Sequence, residues 1–207
     1  MPVQTRSLEG VAQVGSAAEP TWTSISQTQA QDGVPAIATF DGTGEPTKVL
    51  ILRAASAFSL PGSAIVTKIL ARVRRRLDGL PGGVVRDRVV GLTLDGSPVP
   101  GTSDASRTGS VPYSWETVQY QWDTPSIAPA QVNAVGATPE DGFRLRLAYE
   151  TVGLYFMHIQ VDYAEMEVQY AEDSGVPPPP PPTYGTPPGV WIPDRLSVYP
   201  NFGLETP

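Results

Sequence analysis

The side chains able to do acid–base or nucleophilic chemistry are few. His158 is the only histidine and there is no cysteine, which removes disulfides, thiolate metal sites and cysteine nucleophiles. A Ser-His-Asp triad would need His158 as its base. That residue sits inside an alternating apolar and polar run, no G-x-S-x-G elbow occurs, and Gly101-Thr102-Ser103-Asp104 reads as loop. His158 is therefore expected to be structural. Asp41-Gly42-Thr43-Gly44-Glu45 offers two carboxylates in a turn-like segment, short of a calcium loop, and no H-E-x-x-H pair is present. Glu165 and Glu167 share one strand face, whereas glycosidase acids come from separate elements across a cleft. The chain reads as non-enzymatic, with no catalytic residue, metal or cofactor expected.

Two sets of residues could bind a partner. Arg72, Arg74 and Arg76 form a basic stripe that could grip an acidic partner, a phosphate backbone or a carboxylate row on the next strand. The last is favoured: beside the strand of Glu165 the stripe would make cross-strand Arg–Glu pairs worth a few tenths of a kcal/mol each. A net charge of −7 and a pI near 4.7 argue against general binding of nucleic acid. The aromatic residues Trp22, Tyr113, Trp115, Tyr120 and Trp122 could stack on sugar rings, but Val118, Tyr120 and Trp122 alternate on one strand face and read as core or interface.

The elements that must carry these residues are strands. In Ile65–Leu77, Ile69, Ala71, Val73 and Leu77 share one face, and Lys68, Arg72, Arg74 and Arg76 share the other. A Gly/Pro turn over 78–83 leads to Arg86–Leu94, and hairpin pairing of the two strands is expected. Phe143, Leu145, Leu147 and Tyr149 alternate with Arg144 and Arg146. Between Leu154 and Tyr170 the alternation changes parity near Asp162 and Tyr163, which predicts a β-bulge there. Ala128–Ala134 allows one turn of helix. The pattern predicts an all-β fold, an antiparallel β-sandwich of jelly-roll type, over residues 21–173. Residues 1–20 are expected as an extended lead-in without fixed structure. No run nears the ~18–20 apolar residues of a membrane span, and the N-terminus has no signal-like core. A soluble chain with no membrane partner is expected.

Residues 174–207 form a separate part. Six prolines, Pro177–Pro182, make a stiff spacer of about 19 Å at ~3.1 Å per residue. The sequence beyond it is too apolar for a solvated linker and too broken by proline for a helix. It reads as a docking arm, anchored by Trp191, Ile192, Leu196, Tyr199 and Phe202.

Taken in order, Trp22, Asp32-Gly33, Phe58-Ser59-Leu60-Pro61-Gly62-Ser63-Ala64-Ile65, and Val161-Asp162-Tyr163 leading to Val168-Gln169-Tyr170 resemble a β-sandwich family of structural proteins of tailed bacteriophage virions. The resemblance covers residues 20–172. It departs from the family in the middle, where Tyr120-Gln121-Trp122-Asp123-Thr124 replaces a Gly-Gly-x-x-Asp-Leu-Trp-Gly segment. In the Phe58–Ile65 segment, Phe58, Leu60 and Ile65 are expected to point into the core on either side of a Pro61-Gly62 turn. The resemblance implies a virion protein assembled in the host cytoplasm, most simply a capsid decoration protein. It would bind capsid or tail subunits through its arm and form a homo-oligomer, with threefold packing expected. A receptor- or glycan-binding module of a tail or fibre is the alternative.

Overall fold

The computed structural model describes residues 1–42, 46–79, 82–102, 109–153 and 156–172. The described residues form ten strands: β1 (Val3–Val14), β2 (Trp22–Thr23), β3 (Ala36–Asp41), β4 (Val49–Ala54), β5 (Ile65–Gly79), β6 (Val84–Leu94), β7 (Ser97–Pro98), β8 (Glu116–Asp123), β9 (Phe143–Val152) and β10 (Phe156–Ala171). Every pairing among them is antiparallel. One turn of 3₁₀ helix spans Ile25–Gln29, and one short helix, α1, spans Pro129–Asn133 inside the Ala128–Ala134 segment where helix is expected.

The strands form a β-sandwich. One sheet runs β2-β3-β10-β5-β8, and the other runs β1-β4-β9-β6-β7. β1 serves both: Val3–Ser7 pair with β10, and Leu8–Val14 pair with β4. The lead-in expected over residues 1–20 is thus extended, but as a strand inside the compact unit Met1–Ser174 rather than ahead of it. Its weak alternation follows from its double duty, because a strand that changes sheets does not keep one face buried throughout. Gly10 sits at this crossing. A Cβ there would lie 2.3 Å from the Ile25 carbonyl oxygen, so only glycine lets the 3₁₀ turn pack this close. Gly10 N–H donates to Thr28 Oγ1 at 3.0 Å, and that hydroxyl donates to the Leu8 carbonyl at 3.0 Å.

β5 and β10 form the spine of the first sheet. Ile69, Ala71, Val73 and Leu77 are buried, as are Met157, Ile159, Val161, Ala164, Met166 and Val168. The bulge lies where parity predicts it: Val161 pairs with Arg75 and Tyr163 with Arg74, which leaves Asp162 as the extra residue. On β9, Phe143, Leu145, Leu147 and Tyr149 are all buried.

Two expectations need correction. β5 and β6 do not pair as a hairpin. β5 has β10 and β8 on its two edges, and β6 pairs with β9 along its length, so the turn between them crosses from one sheet to the other. Ile65 does not enter the core; it is 62 % exposed, and Ala64 and Val66 are buried in its place. The phase slips at Thr67, the extra residue of a second bulge between Val66, opposite Tyr170, and Lys68, opposite Gln169, so the strand up to Val66 is one residue out of step with Ile69 onward.

Candidate functional site

Alternation on β5 puts Arg72, Arg74 and Arg76 on the outer face of the first sheet, and the neighbouring strands decide what they meet. Arg72 stands opposite Glu165 of β10 and Gln119 of β8. Its guanidinium donates to Glu165 Oε1 at 2.8 Å, to Glu167 Oε2 at 2.9 Å and to Gln119 Oε1 at 3.2 Å. Tyr163 donates to the second oxygen of Glu165, and Gln169 to the second oxygen of Glu167. The hydrogen bonds that Arg72 donates to Glu165 and Glu167 raise its pKa. The Gln169 amide, with Arg72 behind it, holds the Glu167 carboxyl below its ordinary value. Burial and the bond to Glu165 push the Tyr163 phenol up to about 12.

Arg74 and Arg76 extend the same ladder. Arg74 donates to Asp162, the bulge residue, whose other oxygen accepts the Gly33 N–H at 2.9 Å. Arg76 donates to Gln160 Oε1 at 2.9 Å, and Gln160 donates to Asp78 at 3.2 Å. Both guanidinium carbons lie 4.6 Å from the centroid of the Trp115 ring, close enough for cation–π attraction. The structure therefore brings the three arginines together and joins them to β10, β8 and Trp115.

Arg75 faces the other way and was not singled out in the sequence. It is 1 % exposed, between the sheets. Its Nη1 donates to Asp87 of β6 and, at 3.0 Å, to the Tyr120 hydroxyl, while its Nε donates to Glu116 Oε1 at 3.0 Å. Tyr120 in turn donates to the second oxygen of Asp87 at 2.8 Å, and the Tyr149 ring centroid lies 5.6 Å from the guanidinium carbon. Burial opposes the charge on Arg75, but Tyr149, Tyr120 and Asp87 outweigh it and raise its pKa. Burial likewise raises the phenols of Tyr120 and Tyr149. The signal was available: Arg75 shares its parity with Val73 and Leu77, and a charge on a core face demands a partner.

His158 is half-buried on β10, with its Nδ1 2.8 Å from Thr39 Oγ1. Trp22, Tyr120 and Trp122 are buried; Trp22 Nε1 donates to the Lys48 carbonyl at 2.8 Å, and its ring meets Tyr149 edge-on at 5.9 Å. Trp115 is half-buried beneath two arginines and Tyr113 is 41 % exposed, so the five aromatics do not assemble a sugar platform. Trp191, Ile192, Leu196, Tyr199 and Phe202 lie outside the described residues. No protein-family model matches the chain, and no curated protein matches it.

Proposed function

We propose that this protein is a non-enzymatic structural component of a tailed bacteriophage particle, a decoration protein that joins neighbouring virion subunits through its proline-spaced C-terminal arm. The observation that carries this reading is the meeting of two of the resemblance segments at one point of the sandwich. Gly33 of the Asp-Gly pair and Asp162 of the closing strand are hydrogen-bonded to each other, and Arg74 binds the same carboxylate. Residues that recur together in a virion family are, in this chain, the ones that pin the segment after the 3₁₀ turn onto β10.

The charge distribution supports attachment by apolar contact. Arg72 donates to Glu165, Glu167 and Gln119, Arg74 to Asp162 and Arg76 to Gln160, which favours a role for the basic stripe within the sheet over the gripping of an acidic partner. The arm sequence, with Trp191, Ile192, Leu196, Tyr199 and Phe202, has the large apolar side chains that anchor protein interfaces. Gold-labelled antibody against this protein, imaged on purified particles of the encoding phage, tests the reading. Regularly spaced label on heads is expected; particles that carry no label overturn it.

A further inference from the structure

The arginines of β5 and β9 are all tied to acceptors but one. Arg72, Arg74, Arg75 and Arg76 donate to side chains, and Arg144 donates to the carbonyls of Phe143, Pro139, Val135 and Thr138. Arg146 stands between Ile51 of β4 and Gly91 of β6 on the outer face of the second sheet. Its Nε is shut off from water and has no hydrogen-bond partner, a state that calls for an acceptor from outside the described residues. Arg146 lines a partly open cavity of about 90 Å³ with Val14, Ile51, Thr93, Gly96 and Glu140, several times the ~10–15 Å³ that one water needs. Glu140 is held over this cavity from both sides. The Pro139 carbonyl accepts from Arg144 Nε at 2.9 Å, and Gly142 N–H donates to Asp95 Oδ1 at 2.6 Å. The Glu140 carboxylate lies above the β6–β7 turn, where a Cβ on Gly96 would come 3.7 Å from its Oε2. No ion pair among the described residues includes Arg146 or Glu140.

We propose that this cavity binds a free α-amino acid with a small apolar side chain, its carboxylate on Arg146 and its ammonium on Glu140. A guanidinium presents donors in the fork that a carboxylate accepts, and the buried Thr93 hydroxyl on the same wall can add a third. The two unpaired charges decide the class of ligand. A simple anion would meet Glu140 and a simple cation would meet Arg146, whereas a zwitterion satisfies both and leaves neither charge facing its like. Val14 and Ile51 supply the apolar wall for its side chain. Gly96, without a side chain, keeps the wall beneath Glu140 clear.

Titration of the isotope-labelled full chain with L-valine, followed by amide chemical shifts, tests the proposal. Saturable shifts in the millimolar range are expected at Ile51, Thr93, Gly96 and Arg146. Isovalerate and isobutylamine, which each keep one of the two charges, should bind at least about tenfold more weakly than valine. Arg146→Gln should abolish the valine shifts. Glu140→Gln changes an exposed side chain and leaves Arg146 in place, so it should lower the affinity for valine to that for isovalerate; both variants are checked for cooperative unfolding. The absence of saturable shifts at these residues below about 50 mM valine, isovalerate binding as tightly as valine, or a Glu140→Gln chain with undiminished affinity for valine overturns the proposal.

Discussion

Arg72 and Arg75 stand three residues apart on β5 and hold the molecule together in different ways. Arg72, on the outer face, shares two carboxylates of β10 in a half-exposed ladder that water and salt can reach. Arg75, on the inner face, ties β5 of one sheet to Asp87 of the other where water does not reach. The difference teaches that the cost of losing an ion pair is set by what remains after one partner goes. On the outer face solvent takes over. Between the sheets a charge that loses its buried partner cannot turn to water in its place.

The sharpest way to break this contrast is Asp87→Ala, which leaves Arg75 only the partly exposed Glu116 as a counter-charge and should cost about 3–5 kcal/mol in chemical denaturation. The double variant Arg75→Met/Asp87→Leu should recover most of that loss, because two apolar side chains leave no buried charge behind. A double variant as damaged as the single would show that the network contributes net attraction rather than merely avoiding a penalty. Next in size, Trp115→Ala removes the ring shared by Arg74 and Arg76 and should cost about 1–2 kcal/mol, two cation–π contacts at ~0.5–1 each.

Arg72→Gln should cost no more than about 1 kcal/mol, an effect that shrinks further in 1 M salt, whereas the Asp87→Ala loss should persist there. The pH dependence is the smallest effect. The Glu167 carboxyl is held low in the folded protein, so its contribution is complete above the ordinary carboxyl range near ~4.3 and is lost as pH falls through the folded value; Glu167→Gln should flatten the acid limb of a stability profile. The Tyr163 phenol is raised to about 12, so its contribution is complete below about pH 10 and is lost as pH rises towards 12. Tyr163→Phe should remove that alkaline step.

Legibility in the sequence followed the same division. Alternation along β5, β9 and β10 revealed the strands, the buried faces and the Asp162 bulge, because each of these is a local consequence of a period-two pattern. The Arg72–Glu165 pairing was accessible because it needs only two adjacent strands of opposite charge. The parity of Arg75 marks it as a charge on the core face, but its partner was not legible, since Asp87 lies on a strand of the other sheet and local pattern carries no information about which sheet a strand joins. The β5–β6 hairpin failed for that reason: a Gly/Pro turn marks a reversal of the chain without saying whether the strands pair beside it or face each other across the core. Gly10, whose need for a missing side chain arises from Ile25, was equally invisible.

The central claim is that the charged strand serves the fold and the apolar arm serves attachment. Its most direct test compares particle occupancy of three chains under identical conditions: the full chain, the chain ending at Val176, and the variant Arg72→Gln/Arg74→Gln/Arg76→Gln, each verified as folded by cooperative unfolding. The account predicts that the shortened chain is lost from particles and that the triple variant retains the occupancy of the full chain. A shortened chain that joins particles normally, or a folded triple variant that does not, would contradict it.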